Sequence, residues 1–191
     1  LGFDEALRAI LRHDPDIVMV GEIRDRITAD LAVKLSNTGH LTLTTLHTND
    51  APGAIARLYK MGIEPFLLAY AINIIVAQRL LRKLCDRCKA VDDDVPPILL
   101  RAIGLAAAQT AGLKFYRPVG CMHCIKGYKG RTAIHETLYF TPAIRKLIME
   151  SDHTINEEGI RETALREGMK PLREAAFDLL RSGITSVEEV T

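Results

Sequence analysis

Two cysteine pairs carry the most specific chemistry in this chain, Cys85-x-x-Cys88 and Cys121-x-x-Cys124. Each pair sets two thiolates on one tight knuckle, and two knuckles make a tetrahedral four-sulfur site suited to zinc. The 32 residues between the pairs exceed a compact zinc ribbon, so the spacing predicts a small subdomain folded between them. The same residues also suit two disulfides or two redox dithiols. The first needs an oxidising compartment, of which the sequence gives no sign, and the second needs two such motifs by coincidence. Four protein sulfurs leave no coordination position open, so the site reads as structural and is silent on reaction type.

A carboxylate closes an apolar run in Asp14-Pro15-Asp16-Ile17-Val18-Met19-Val20-Gly21-Glu22-Ile23-Arg24-Asp25. A strand that delivers Glu22 at its C-terminal end puts it where α/β sheets bind ligands. In a nucleoside triphosphatase such a group orients and activates the attacking water. By spacing alone, a solvated acid in a strand-to-loop turn is the commoner reading. A second stretch, Thr38-Gly39-His40-Leu41-Thr42-Leu43-Thr44-Thr45-Leu46-His47-Thr48-Asn49-Asp50, brackets another strand with two histidines. If the strands are parallel, His47 lies at the same sheet edge as Glu22 and can reach a phosphate or the neighbour of a bound nucleotide. A strand-end histidine bonded to backbone is the plainer alternative.

These residues need positioning elements. Leu7, Ile10 and Leu11 sit at helical spacing, and Asp14-Pro15 ends that helix. Ile17–Val20 is a short β-branched run between Pro15 and Gly21, which predicts a strand buried on both faces. A helix is expected from about Thr28 to Asn37, then a strand from Leu41 to Leu46. Asp50 can cap a further helix that carries Pro52 in its first turn and stops at Gly62. Strand, helix, strand, helix is the pattern of an α/β domain with a mostly parallel sheet. Residues 85–131 change character, with cysteines at both ends and an acidic Asp92-Asp93-Asp94 stretch followed by Pro96-Pro97. Residues 132–191 read as helical: Thr141-Pro142 opens one helix, Thr154 with Glu157 fits a capping box, Gly168 and Pro171 divide the next two, and Thr185 with Glu188 fits another box.

Composition narrows the function classes. Lys plus Arg number 25 against 24 Asp plus Glu, a net charge of +1, and aromatics are 5%. That balance argues against nucleic-acid binding, which needs an excess of cations and aromatic stacking platforms. The longest apolar stretch, Pro65 to Ala77, contains Asn73 and falls short of the roughly 18 residues that cross a bilayer. No basic-then-apolar leader is visible. A first residue that is Leu, in a stretch reading as helix, leads us to expect part of a longer protein. Lys126, Lys129 and Arg131 form a small basic cluster, read either as a solvated rim or as a contact with an acidic partner protein or a neighbouring subunit.

The motifs together resemble the secretion ATPases of type II secretion and type IV pilus assembly. The Asp14–Asp25 segment looks like that family's Walker B segment, and Thr38–Thr48 is similar to its histidine box. Gln78-Arg79-Leu80 before the first cysteine pair, and Gly127-Tyr128-x-Gly130-Arg131-Thr132 after the second, match in order and spacing. The cysteine knuckles point to the secretion and pilus-extension branch. The resemblance implies a partial RecA-like domain (residues 1–84), a zinc subdomain (85–131) and a helical C-terminal subdomain (132–191). It implies that Glu22 is the catalytic glutamate, that His40 and His47 sense nucleotide state, that Arg24 and Asp25 shape the nucleotide site or a subunit contact, and that Cys85, Cys88, Cys121 and Cys124 hold zinc. It also implies ATP and Mg2+ as substrate and cofactor in the full-length protein. Such a protein would be a cytoplasmic homohexamer, peripheral at the bacterial inner membrane and docked on a platform protein.

One expected motif is not in the chain. A phosphate-binding loop would read G-x-x-x-x-G-K-[ST], and no such run occurs. In the resembling family it lies upstream of the Walker B segment. The fragment alone is therefore expected to hydrolyse ATP poorly and to form no hexamer. The alternative class is a zinc-stabilised, non-catalytic interaction or nucleic-acid-binding module.

Overall fold

The computed structural model describes residues 2–105, 112–151 and 153–190. The contacts divide the chain into two units, Leu1–Ala77 with Thr137–Met169, and Gln78–Glu136 with Lys170–Thr191.

The first unit opens with α1 (Phe3–Arg12), β1 (Ile17–Val20), α2 (Arg26–Asn37), β2 (Leu41–Thr44), α3 (Ala51–Lys60) and α4 (Pro65–Ala71). β1 and β2 pair in parallel, Ile17 opposite Leu41 and Val20 opposite Thr44. The parallel pairing follows from α2, which carries the chain back so that both strands start at the same end. Asp25 caps α2 by accepting from the Thr28 amide at 2.8 Å, and Asp50 caps α3 by accepting from the Gly53 amide at 2.8 Å. The core gathers Ile23, Ala29, Val33, Ile55, Leu68, Leu138, Ile144 and Ile160. A second cluster sets Leu31 and Leu35 of α2 against Val18, with Ile10 of α1 beside them. The side chain of Leu7 lies outside the described residues.

β1 departs from expectation. Val18 is buried, but Ile17 and Met19 are 58% and 68% exposed, and so are Leu41 and Leu43 opposite them, at 55% and 50%. Side chains alternate along a strand, so these four share the face that α2 does not cover. A continuous apolar run predicts burial on both faces only where helices lie on both.

The long strands β3 (Ile74–Leu84) and β6 (Tyr128–Tyr139) pair with each other, and each passes from one unit into the other. The helical reading of residues 132–191 is therefore corrected over 132–139. There Ile134, Glu136 and Leu138 are buried in period two, and buried Glu136 masks the apolar alternation. Beyond it come α6 (Pro142–Met149), capped by Thr141, and α7 (Glu157–Arg166). The α7 cap is Asn156, whose side chain accepts from the Gly159 amide at 2.9 Å, not Thr154. The described residues include no helix long and apolar enough to cross a membrane.

The second unit holds the rest of β3 and β6, an antiparallel pair of β4 (Ala90–Asp92) with β5 (Phe115–Arg117), and the helices α5 (Pro97–Ala102), α8 (Leu172–Arg181) and α9 (Val187–Val190). Ile103, Leu105 and Phe115 from the stretch between the cysteine pairs share a core with Leu180 and Val187. The units thus group the chain differently from its three segments by composition: the last two helices close the core of the cysteine segment. The Ile184 carbonyl accepts from the Leu84 amide at 2.8 Å, and the Gly183 carbonyl from the Lys89 ammonium at 2.9 Å. The Thr185 hydroxyl donates to the Arg82 carbonyl at 2.9 Å, and α9 starts at Val187, so Ser186 rather than Thr185 stands at the cap position of the expected box with Glu188.

Candidate functional site

Glu22 lies two residues beyond β1, in the first unit. The pairing of β1 with β2 continues past the strands proper: the Ile23 amide donates to the Thr45 carbonyl at 2.9 Å, and the Thr45 hydroxyl to the Gly21 carbonyl at 2.7 Å. Ile23 is buried in the core, and alternation then turns Glu22 outward. The same register carries His47, three residues beyond β2, to the same edge, with Nε2 3.0 Å from Glu22 Oε1. Glu22 Oε2 accepts from the Arg24 guanidinium at 2.7 Å. The His47 side chain is 85% exposed and that of Glu22 22%, so the pair opens to solvent.

Electrostatics favour the ionised form of Glu22. The Arg24 hydrogen bond holds the Glu22 carboxyl below the ordinary carboxylate range. Desolvation works against that, while the charges of Arg24, His47 and Arg57 add to it. The bond in turn raises Arg24 further. His47 Nε2 faces this carboxylate at 3.0 Å. The edge therefore presents a carboxylate held by the Arg24 guanidinium beside an exposed imidazole, an arrangement able to orient water and to contact an anion.

The other expected residues lie differently. Asp25 is engaged as the α2 cap, and the Thr28 amide, its strongest partner, lowers its pKa. His40 precedes β2 and so stands at the strand end opposite His47. Its Nδ1 lies 2.9 Å from Thr38 Oγ1 and 3.3 Å from the Leu35 carbonyl, which ties it to the end of α2. Sequence reasoning missed Thr45, which fixes the Gly21-Glu22 turn, and Arg57, whose charge reaches Glu22. It also missed Arg161 of α7, 2.8 Å from Asp50, which anchors the loop that follows His47. The Thr run had signalled only a strand.

In the second unit the four cysteine sulfurs all lie within 4.8 Å of one another. Cys85 and Cys121 sulfurs are 4.0 Å apart, Cys88 and Cys124 3.7 Å, and Cys121 and Cys124 3.7 Å. All four are free thiols, so the disulfide alternative has no counterpart here. The Cys121 amide lies 3.2 Å from the Cys124 sulfur. Burial pushes the Cys124 thiol up, but that amide and the neighbouring thiols outweigh it and bring it to about 7. Burial, with the thiols around it, pushes Cys88 up to about 11. The four cysteines are positioned to hold a metal ion.

The profile of the family described as type II/IV secretion system protein matches residues 1–191. The chain belongs to this family. Among type II/IV secretion relatives, it is 47% identical over 190 residues to the type IV pilus assembly ATPase PilB of Pseudomonas aeruginosa, covering all of this chain and 33% of that one. It is 46% identical over 191 residues to the putative type II secretion system protein E of Escherichia coli K12, covering 37% of it. The chain thus spans about a third of the length of these curated relatives. Its α/β fold is similar to that of the ADP-bound pilus retraction motor PilT, with a TM-score of 0.65 and 26% identity over the whole chain and 43% of PilT.

Proposed function

We propose that this chain forms part of the nucleotide site of a motor ATPase that drives type II secretion or type IV pilus assembly. Glu22 is the catalytic carboxylate, which orients the water that attacks the γ-phosphate and accepts its proton. His47 reports the state of the nucleotide to Glu22 through their 3.0 Å contact. Arg24 and Asp25 shape the edge of the site, and His40 transmits its state at the far end of β2. Mg2+ bound with the phosphates of ATP would supply charge neutralisation at the site that Glu22 serves. The observation that carries this reading is the meeting of Glu22 and His47 at one solvent-open sheet edge, in a chain 47% identical to a pilus assembly ATPase.

The phosphate-binding amides and lysine belong to a further part of the whole protein, since no G-x-x-x-x-G-K-[ST] run stands among these 191 residues. The isolated chain accordingly turns over ATP more slowly than about one per second, the low end of enzyme rates. It also sediments as a monomer or small oligomer, whereas the whole protein forms a hexamer at the cytoplasmic face of the inner membrane, on a platform protein. The four cysteines take zinc. Zinc held by four sulfurs at about 2.3 Å would need them about 3.8 Å apart, and three of the pairs here stand at 4.0, 3.7 and 3.7 Å. The ion's role is structural.

Glu22→Gln in the full-length protein tests the reading. Hydrolysis falls at least about a hundredfold while nucleotide affinity is kept. An unchanged rate removes the catalytic assignment.

A further inference from the structure

The two most exposed large apolar side chains among the described residues are three positions apart. Met122, inside the second cysteine knuckle, is 92% exposed, and Ile125, just after it, 81%; Val119, just before it, is 56%. A side chain that exposed touches almost nothing of its own molecule and adds nothing to folding. Residues 117–131 also hold Arg117, Lys126, Lys129 and Arg131 with no Asp or Glu, in a chain whose net charge is only +1. The one acid in the facing knuckle, Asp86, is taken up by Lys89 at 3.1 Å.

The loop that presents them is built. Ile125 and Tyr128 exchange two backbone hydrogen bonds of 3.0 Å across Lys126-Gly127, whose φ values are 50° and 86°. Two left-handed residues in a two-residue hairpin make the tight mirror-image turn that normally takes Asn-Gly or Gly-Gly. Lysine stands here at a backbone cost that an asparagine would reduce. The Gly127 carbonyl accepts from the Cys85 amide at 2.9 Å, which ties the turn to the metal-binding cluster.

We propose that this knuckle tip inserts into the headgroup layer of an anionic lipid bilayer. Met122, Ile125 and Val119 enter the acyl boundary, and Lys126, Lys129, Arg117 and Arg131 pair with lipid phosphates. Side chains that stand clear of the surface on successive turns suit a fluid interface, which closes around each of them. A folded protein partner would have to supply a separate pocket for each. This inference rests on the loop alone and not on the ATPase reading.

The test is sedimentation of the full zinc-loaded chain with phosphatidylcholine vesicles, with and without phosphatidylglycerol. Binding to the anionic vesicles is expected to be at least tenfold tighter and to weaken with salt. Met122→Asp with Ile125→Asp lowers it tenfold or more, as does Lys126→Glu with Lys129→Glu. Ile98→Asp, at an apolar position 74% exposed elsewhere in the unit, leaves it intact. Thermal melts confirm that the variants fold, and Met122→Ser with Ile125→Ser repeats the test should the aspartates disturb the loop. Absence of anionic binding, or binding indifferent to Met122 and Ile125, overturns the proposal. So does loss of self-association in those variants with lipid binding unchanged, which assigns the tip to a second copy.

Discussion

His47 Nε2 stands 3.0 Å from Glu22 Oε1, which brings two residues 25 apart in sequence together at the ends of two parallel strands. The register sets this contact. Val20 opposes Thr44, and the Thr45 hydroxyl on the Gly21 carbonyl carries the pairing one step further.

Arg24 tunes the same carboxylate. Its hydrogen bond is the largest influence holding Glu22 below the ordinary range, so Glu22 is ionised at lower pH and is a weaker base than an unpaired glutamate. Arg24→Gln is expected to let that pKa rise. The acid limb of the pH–rate profile of the full-length protein then moves to higher pH. A limb that stays in place shows that a group other than Glu22 sets it.

Much of this edge was legible in the sequence because its causes are local. Asp50 and Pro52 mark a helix start by their own chemistry, and paired cysteines announce a four-sulfur site by spacing. Longer-range effects were not legible. Helical caps at Thr154 and Thr185 fit the sequence pattern, but Asn156 takes the first end and the Arg82 carbonyl claims the Thr185 hydroxyl. Thr132–Tyr139 hides a strand behind buried Glu136. The exposure of Ile17 and Met19 depends on which layers cover the sheet, which a run of apolar letters does not state.

Metal loading of the cysteine cluster is expected to release protons. Burial and the neighbouring thiols push Cys88 up to about 11, so near neutral pH it still carries a proton that an ion must displace. Apparent zinc affinity therefore falls as pH drops, and buffers of different ionisation enthalpy reveal the released protons in calorimetry. Chelation or Cys121→Ser is expected to lower the melting temperature by roughly 10 °C or more. An unchanged melt rules out a structural metal.

Gly127 is predicted to be far less replaceable than Gly130. Both lie at positive φ, 86° and 78°, but a Cβ on Gly127 would stand 2.3 Å from Pro118 Cβ, whereas one on Gly130 meets open space. Urea unfolding is expected to show a loss of about 2–5 kcal/mol for Gly127→Ala and about 1–2 kcal/mol for Gly130→Ala. Equal losses would mean that the Pro118 contact is not maintained in solution.

Glu189 gives the second unit an acid-sensitive tie. Burial raises its pKa, but the Arg82 guanidinium at 2.6 Å and the Arg82 amide at 2.9 Å outweigh it and hold the carboxyl below the ordinary carboxylate range. A depressed carboxylate stabilises the fold above its unfolded pKa, and that contribution is lost as pH falls through the folded value. The difference in stability between the parent and Arg82→Gln is therefore expected to shrink as pH falls below the ordinary carboxylate range. A difference that is constant down to pH about 3 would assign the effect of Arg82 to its packing over the Tyr128 ring instead.

The central claim is that Glu22 and His47 act as one unit on ATP. It is tested most directly by a double-mutant cycle on steady-state hydrolysis by the full-length protein: Glu22→Gln, His47→Gln and both together. Residues that act together lose their effect together. The double variant is expected to be no slower than Glu22→Gln alone, within about twofold. Losses that multiply, or a Glu22→Gln variant that hydrolyses ATP at the parent rate, would contradict the account.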